Sequence, residues 1–391
     1  MANDKLSKAK KAKNDEFYTQ FSDISREVEA YLEYNPDTFR NKVVLLPCDD
    51  PEWSNFTLYF AQNFDRLGLR KLISTSYAYE SKRLQFPYQP TLFESESLQF
   101  DIEKSATKGK IFTLSHDISG DGKIDHKDLE WQYLDGDGDF RSEEVTRLRD
   151  EADIIVTNPP FSLFREFFAW VIQSQKMFLM IANKNCITYK EVFPFITRNQ
   201  MWSGVTKWSG GMWFETKSDD IDKVIEDVNM KNIPAVWFTN IDHGRRHQPL
   251  QLMTMADNLK YSKHKEIREK GYPKYDNYDA IEVAYTDAIP SDYDGVMGVP
   301  ISFLEKYCPE QFEIVGCTES EGKGASNGLY NWQSLVTQPL IGGARSTRES
   351  LCAKLRHPAA NGDRAYVNGE RKYARILICH IYSRPNKKYR R

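Results

Sequence analysis

The chain has 391 residues, enough for two or three domains or for one large catalytic domain with an attached module. Hydrophobic residues make up 40% and charged residues 28%, a composition typical of globular proteins with ample core material. We find no apolar run near the roughly 18 residues of a membrane helix, no apolar N-terminal signal segment and no CxxC pair among the six cysteines. We therefore expect a cytoplasmic protein, and neither a membrane-spanning protein nor a disulfide scaffold.

The net charge of −3 conceals a basic C-terminal segment. Residues 341–391 carry 13 Lys and Arg against 3 Asp and Glu. Such a segment is typical of proteins that bind the phosphate backbone of nucleic acids. A solvated charged end is about equally common, so the charge alone does not decide between them.

Short apolar runs separated by helical patterns or polar loops predict buried strands. They lie at 43–46, 71–74, 111–114, 153–157, 177–181 and 235–239. Runs without polar alternation indicate strands covered on both faces, as in a parallel sheet. The segment 162–173 places its apolar residues on one helical face, so 153–181 reads as a strand–helix–strand unit. We predict a doubly wound α/β domain over residues 1–240.

The composition changes near residue 241. The chain becomes polar, basic and rich in tyrosine, and a later stretch is rich in glycine and serine. A short strand pattern then precedes the basic C-terminal segment. We predict a second, smaller module over residues 241–391.

The predicted strand at 153–157 is followed directly by Asn158-Pro159-Pro160-Phe161. Ligands of open α/β sheets bind at the carboxyl ends of the strands. The prolines make this loop rigid, because their rings fix the backbone and their nitrogens carry no hydrogen. The Asn158 side-chain oxygen and a backbone carbonyl can accept both hydrogens of an exocyclic amino group, while Phe161 stacks on a flat base. A plain strand-ending turn is the alternative, because Asn-Pro pairs often begin turns.

This segment resembles motif IV of the amino-group DNA methyltransferases, and more closely that of the EcoRI-type adenine-N6 methyltransferase family. The resemblance covers most of the chain, with further motifs in the same order. It implies a Rossmann-like S-adenosylmethionine-dependent methyltransferase fold, a doubly wound and mostly parallel α/β sheet, with a smaller C-terminal DNA-recognition module. The implied activity is transfer of a methyl group from S-adenosylmethionine to the N6 amine of a flipped adenine in duplex DNA. The implied setting is restriction–modification or phage protection.

The resemblance also implies which residues bind S-adenosylmethionine. An N-terminal motif, the loop after the first strand and an Asp-Phe pair match segments that the family places around the cofactor. The residues expected there are Phe17, Tyr18, Thr19, Pro47, Cys48, Asp49, Asp50, Asn55, Asp139 and Phe140. Cofactor loops of this kind are usually rich in glycine, whereas residues 48–56 contain none. The EcoRI-type loop is similarly free of glycine.

The family chemistry implies base flipping, because the enzyme cannot reach its target atom inside a duplex. The proposed acceptors, the Asn158 side chain and the Pro159 carbonyl, would draw the amine hydrogens out of the ring plane. A second aromatic residue would help to hold the base beside Phe161. We prefer Phe238 among the pairs at 213–214 and 237–238, with core packing as the alternative for each.

Recognition of the DNA sequence is expected in the second module. Arg245, Arg246 and His247 form a basic triplet, and arginine can pair with guanine or hold phosphates. A solvated loop is the alternative interpretation. The recognised site cannot be read from these residues.

Residues 117–128 match the spacing of a calcium-binding loop, independently of the family resemblance. The candidate calcium ligands are Asp117, Ser119, Asp121, Asp125 and Asp128. The last position holds Asp instead of the longer Glu, and the preceding residues predict a strand where an entering helix is usual. An acidic turn with the same spacing is the alternative.

Two other functions remain open at this point. The chain could methylate RNA or a protein glutamine amide, which also present an amino group on an sp² carbon, or it could be a catalytically retired DNA-binding protein. The basic C-terminal segment favours nucleic acid. The expected partner is double-stranded DNA, and we expect no association with a membrane. A cognate restriction endonuclease is a possible functional partner, with no stable complex implied.

Overall fold

The structure, a computed structural model, describes residues 17–49, 54–78, 100–216, 220–318 and 365–381. The chain divides into two compact units. The first unit comprises the described residues up to Lys184 together with Ser203–Gly244. The second comprises Asn185–Trp202 and the described residues from Arg245 onward. Asp50 and most of the basic C-terminal segment lie outside the described residues.

This division differs from the predicted boundary at residue 240 in two ways. The change of unit falls four residues later, after Gly244, and the segment Asn185–Trp202 joins the second unit. The physical reason is that a helix within this segment, Phe193–Thr197, packs against the strand Phe312–Cys317 of the second unit. The order of residues along the chain could not reveal that Asn185–Trp202 belongs to the second unit.

The first unit contains a large mixed sheet, a smaller antiparallel sheet and the helices that accompany them. Its strands are β1 Phe17–Thr19, β2 Val43–Leu46, β3 Lys71–Ser76, β4 Lys110–Leu114, β5 Glu130–Tyr133, β6 Ile154–Thr157, β7 Met177–Asn183, β9 Met212–Thr216, β10 Lys223–Ile225, β11 Val228–Ile233 and β12 Ala235–Thr239. The two-residue strand β8 Trp202–Ser203 spans the point at which the chain passes from the second unit to the first. Its helices are α1 Phe21–Tyr34, α2 Asn55–Gln62, α3 Phe64–Leu67, α4 Ile102–Thr107, α5 Glu143–Glu151 and α6 Phe164–Gln173.

The large sheet has the strand order β5-β4-β3-β2-β6-β7-β12-β8. The four central strands β3, β2, β6 and β7 run parallel, whereas β4, β5 and β12 pair antiparallel. The expectation of a mostly parallel sheet is therefore right for the centre and wrong for both flanks. All six predicted strands and the predicted helix after residue 161 are confirmed. This mixed α/β architecture is compatible with a Rossmann-like methyltransferase fold.

The central strands lie in the core because their apolar runs are covered on both faces. All four residues of β2 are buried. Val44 and Leu46 share one face, where they join a hydrophobic cluster with Ile24 and Val28 of α1 and Phe60 of α2. Neighbouring residues of each strand point to the opposite face, which is also buried.

The carboxyl ends of the parallel strands share one edge of the sheet, and the loops that follow them gather there. The 135–141 loop is held at the end of β3 by a hydrogen bond from the Ala78 N–H to the Asp137 carbonyl, 2.8 Å long. The Tyr77 hydroxyl also donates to Asp139 at 2.8 Å. Gly138 lies so close to β3 that an added Cβ would fall 2.3 Å from the Ser76 carbonyl oxygen.

The four-stranded sheet, of order β1-β9-β11-β10, is wholly antiparallel.

The second unit has its own sheet, of order β13-β14-β18-β15, and a separate hairpin of β16 and β17. Its strands are β13 Ile281–Glu282, β14 Met297–Pro300, β15 Phe312–Cys317, β16 Tyr366–Val367, β17 Glu370–Arg371 and β18 Arg375–His380, and its helices are α7 Phe193–Thr197, α8 Met255–Tyr261 and α9 Lys265–Lys270. A buried ion pair joins Glu282 and Arg375 at 2.6 Å. None of the described helices has the length and apolar character needed to cross a bilayer.

The close approach of Gly138 to β3 gives a test of the fold. We expect Gly138→Ala to lower the free energy of unfolding by about 1–3 kcal/mol more than Gly122→Ala, measured by denaturant titration. Both glycines have φ near +84°, so both variants carry the same backbone strain, but an added Cβ at Gly122 meets nothing within 4 Å. Equal costs for the two variants would contradict the described packing of the 135–141 loop.

Candidate active site

The amide of Asn158 has a fixed orientation at the end of β6. Its Nδ2 donates a hydrogen bond of 2.7 Å to the carbonyl oxygen of Phe17 in β1. Its Oδ1 is buried and accepts no hydrogen bond from any described residue. Because the amide nitrogen donates to β1, the oxygen is the buried side-chain atom of Asn158 that has no partner among the described residues, and this atom is an acceptor.

Three aromatic rings lie together beside Asn158. The Phe161 ring centroid is 6.0 Å from that of Phe17 and 6.3 Å from that of Phe214 in β9. Phe17 and Phe214 are themselves 6.1 Å apart. Phe161 begins a single turn that leads into α6, and the Pro160 carbonyl accepts the Leu163 N–H of that turn at 3.0 Å. The structure thus brings the predicted base-stacking residue Phe161 next to an aromatic residue of the N-terminal motif.

Thr19 is the last residue of β1, and its carbonyl and its hydroxyl are both relevant to the site. Its carbonyl accepts a hydrogen bond of 2.8 Å from Asn55 Nδ2 at the start of α2. Its hydroxyl is buried and has no hydrogen-bond partner among the described residues. Tyr18, between Phe17 and Thr19, pairs with Glu215 of β9. The structure therefore joins β1 both to the Asn158 loop and to α2.

The loop after β2 is held by side chains of β3. The Thr75 hydroxyl donates to the Pro47 carbonyl at 3.0 Å, and the Ser74 hydroxyl donates to the Asp49 carbonyl. The Asp49 carboxylate accepts the Ser54 hydroxyl at 2.9 Å, which connects the two ends of this loop. Burial and the nearby Asp49 carboxylate raise the pKa of the Cys48 thiol, so Cys48 is a neutral group and not a thiolate nucleophile.

The Asp-Phe pair divides between two environments. Asp139 accepts the Tyr77 hydroxyl and pairs with Arg141; burial alone would raise its pKa, but these hydrogen bonds outweigh burial and lower it. Phe140 is buried, with its ring centroid 5.1 Å from that of Phe167 in α6. The Asp139 carboxylate therefore lies near the end of β3, at the edge of the large sheet where the parallel strands end, whereas the Phe140 ring contributes to the core.

The sequence of this chain is similar to those of known proteins. Residues 5–381 match the family described as adenine-specific methyltransferase EcoRI. The chain belongs to this family. It is 43% identical over 321 residues to the Type II methyltransferase M.EcoRI of Escherichia coli, covering 79% of this chain and 88% of that protein. No solved structure is significantly similar to the chain.

Two further relatives cover almost the whole chain. The Type II methyltransferase M.MpnI of Mycoplasma pneumoniae is 31% identical over 382 residues, which are 95% of this chain and 97% of that protein. The Type II methyltransferase M.MgeORF184P of Mycoplasma genitalium is 33% identical over 382 residues, 95% of this chain and 98% of that protein. The enzyme is therefore a site-specific DNA adenine methyltransferase of the restriction–modification type. This favours DNA over the RNA and glutamine-amide alternatives, and an active enzyme over a retired one.

Family membership implies use of S-adenosylmethionine, and the residues at the strand-end edge fit that cofactor. The buried Thr19 hydroxyl has no partner among the described residues, as expected of a group that meets a polar ligand. The Asp49 and Asp139 carboxylates are suited to ammonium and hydroxyl groups, which this cofactor carries.

Phe238, the predicted second stacking residue, lies in a packed part of the large sheet. It is 1% exposed, and its ring meets that of Trp208 edge-on with centroids 6.0 Å apart. Phe214, which belongs to the other candidate pair at 213–214, lies beside Phe161 together with Phe17.

Each member of the basic triplet contacts other residues of the second unit. Arg245 pairs with Glu305 at 2.8 Å, and His247 pairs with Glu310 at 2.8 Å. Arg246 is buried, lies 3.6 Å from the ring centroid of Trp202 and donates to Asn199 at 2.6 Å. All three side chains therefore make contacts within the protein. The sequence did not reveal these contacts, because the hydrogen-bond partners are 47 to 63 residues away along the chain.

The candidate calcium loop is organised around its own backbone. The Asp128 carboxylate accepts N–H groups of Ile118, Ser119 and Asp125 at 2.8–3.0 Å. Asp117 accepts N–H groups in the same way, at Gly120 and Gly122. No group of three or more metal-binding side chains occurs among the described residues. The structure therefore does not support calcium binding by Asp117, Ser119, Asp121, Asp125 and Asp128, and favours the acidic-turn interpretation.

The contacts of Arg246 predict a structural effect of its removal. We expect Arg246→Ala to lower the free energy of unfolding by about 1–3 kcal/mol, because it loses a cation–π contact and leaves Asn199 without this donor. The matched control is Arg198→Ala, which removes an exposed arginine of the same unit. A phosphate contact would instead show as a fall of about 0.9 in the salt-dependence slope of DNA binding, and we expect that slope to be unchanged.

The Asp128 hydrogen bonds predict an acid-dependent loss of stability. Donation from the Asp125 and Ser119 N–H groups lowers the pKa of Asp128 from the ordinary 3.8 to about 2. The stabilisation is therefore fully present above pH 3.8 and is lost as the pH falls toward 2. We expect the difference in thermal midpoint between wild type and Asp128→Asn to be constant near neutral pH and to shrink below pH 3.8. A difference independent of pH, or a midpoint raised by added calcium, would contradict this interpretation of the loop.

Proposed function

We propose that this enzyme methylates the N6 amine of an adenine that has been flipped out of duplex DNA, with Asn158 Oδ1 and the Pro159 carbonyl accepting the two amine hydrogens. The observation that carries the proposal is the orientation of the Asn158 amide. Its nitrogen is held by Phe17, and its oxygen is a buried acceptor without a partner among the described residues. An unsatisfied buried acceptor is costly and therefore favours a donor supplied by the substrate.

The two acceptors act on the reactivity of the amine. The lone pair of an exocyclic adenine amine is conjugated with the ring, which makes the nitrogen a weak nucleophile. Hydrogen bonds from its two hydrogens to Asn158 and Pro159 turn them out of the ring plane and raise the lone-pair density on nitrogen. This is electrostatic and orientational catalysis, and it needs neither a covalent intermediate nor an ionised cysteine.

The aromatic residues support the base while it reacts. Phe161 stacks on the purine, and Phe214 meets the Phe161 ring nearly edge-on at an interplanar angle of 83°. Phe161 is half-buried, so part of its ring remains exposed for contact with a base.

S-adenosylmethionine supplies an electrophilic methyl group when it is bound. We propose Thr19, Asp49 and Asp139 as its principal polar contacts, on the chemistry of their side chains. The neighbouring residues Pro47 and Cys48 shape the loop that presents Asp49. Phe17 and Tyr18 precede Thr19 in β1 and are proposed to line the same cofactor site. Asp50 stays a sequence-based prediction.

The predicted division of labour places methyl transfer in residues 1–240 and DNA recognition in 241–391. The basic character of 341–391 supports the second part of this proposal, because cationic side chains bind the DNA backbone. The relatives' designation as Type II methyltransferases supports a cognate restriction endonuclease that cuts the same unmethylated sequence. A cytoplasmic location stays a prediction.

The role of Asn158 is tested by Asn158→Ala. We expect methyl transfer to duplex DNA to fall by at least about 100-fold, the scale seen when one polar contact to the reacting group is removed. Incorporation of labelled methyl into duplex DNA, RNA and a glutamine-containing protein measures the activity, and nucleoside analysis of the DNA identifies N6-methyladenine. Unchanged circular dichroism and cofactor affinity show that the variant is folded. Methylation of DNA by this variant at the wild-type rate would overturn the proposal.

A further inference from the structure

Strand β1 is attached to the rest of the first unit along both of its edges. It is the terminal strand of the four-stranded sheet and pairs with β9 on one side. The carbonyls of Phe17 and Thr19, two residues apart, point to the same edge, since strand geometry repeats every two residues. Both carbonyls accept side-chain amides, from Asn158 at 2.7 Å and from Asn55 at 2.8 Å.

Asn55 is itself held firmly. It is the first residue of α2, which Ser54 caps by accepting the Phe56 N–H at 3.1 Å. The next residue, Phe56, is buried and packs edge-on against Trp237 with ring centroids 5.7 Å apart. A side chain at the start of an anchored helix is a rigid support for the β1 carbonyl that it contacts.

We propose that Asn55 is a positioning residue for the methyl acceptor. By holding the Thr19 carbonyl it fixes β1, and β1 in turn presents the Phe17 carbonyl that orients the Asn158 amide with Oδ1 toward the substrate. The inference rests on the proposed function of Asn158. The amide nitrogen of Asn55 is engaged with the main chain of β1. The affinity of Asn55→Asp for S-adenosylmethionine tests whether the remaining side-chain oxygen contacts the cofactor, as the sequence predicts.

The orientation of the Asn158 amide decides whether it can accept at all. If β1 shifts, Nδ2 loses its acceptor, and the amide can turn through 180° at little cost. The turned amide would present its NH₂ group to the amine of the base, so two donors would face each other. Misplacement of a positioning contact by about 1 Å can cost about 100-fold in rate.

The decisive variant is Asn55→Asp, which keeps the shape of the side chain but sets an acceptor against the Thr19 carbonyl. We expect the single-turnover rate of methyl transfer at saturating cofactor to fall by about 10- to 100-fold. We expect the dissociation constant for S-adenosylmethionine, measured by calorimetry, to change by less than about threefold.

Asn63→Asp is the matched control. Asn63 follows the other end of α2, and its Nδ2 donates to the Tyr59 carbonyl at 2.8 Å, so the substitution removes the same kind of hydrogen bond from the same helix. It does not touch β1, and we expect its single-turnover rate to stay within about threefold of wild type. Equal losses of rate in the two variants would assign Asn55 a merely structural role and overturn the inference.

Two further measurements separate this inference from the proposed function. In protein labelled at asparagine side chains, the Asn158 amide signal, identified by its absence in Asn158→Ala, should exchange slowly in wild type and faster in Asn55→Asp. This readout needs no activity. In the Asn158→Ala background, Asn55→Asp should lower the residual rate by less than about threefold.

The outcomes distinguish the two claims. A wild-type rate in Asn55→Asp, a loss confined to cofactor affinity or an unchanged exchange rate would each overturn the role of Asn55. A wild-type enzyme that fails to methylate duplex DNA would overturn the proposed function instead, and the exchange measurement would still decide whether Asn55 orients Asn158.

Discussion

The hydrogen bond between Asn158 Nδ2 and the Phe17 carbonyl is the constraint on which the proposed chemistry depends. A primary amide is both a donor and an acceptor, and its two ends have nearly the same shape. A site that must accept hydrogens therefore needs a separate acceptor that holds the NH₂ end. The main chain of β1 provides one, at a distance of 141 residues along the sequence from Asn158.

The hydrogen bond between Asn158 and Phe17 connects the two sheets of the first unit. Parallel strands bring the loops after β2 and β6 to one edge of the sheet, where the Asp49 and Asn158 side chains lie. The antiparallel four-stranded sheet then carries β1 and Phe214. Thr19, a proposed contact of the methyl donor, and Phe17, whose carbonyl holds the proposed acceptor residue Asn158, thus lie two residues apart on one short strand. We therefore expect the position of β1, and with it both proposed contacts, to depend on the residues that hold this strand.

Much of this could be predicted from the sequence where the physics is local. Apolar runs predicted six of the eight strands of the large sheet, and the tetrapeptide after β6 predicted an acceptor loop. Features that depend on contacts distant in sequence could not be predicted. These include the antiparallel flanks, the return of 185–202 to the second unit, and the ion pair that occupies Arg245. The same limit applies to Phe238: its strand was predicted and core packing was one of two interpretations, but its packing partner Trp208 could not be predicted. Residues 117–128 have the spacing of a calcium-binding loop, yet the Asp128 carboxylate accepts backbone N–H groups of the loop itself.

The most direct measurement is a crystal structure of the enzyme with duplex DNA containing its target adenine and a non-reactive analogue of S-adenosylmethionine. The account predicts Asn158 Oδ1 about 3 Å from the adenine N6, with Nδ2 still on the Phe17 carbonyl and Phe161 stacked on the base. An adenine bound elsewhere, or an Asn158 amide detached from Phe17 with its nitrogen toward the base, would contradict it.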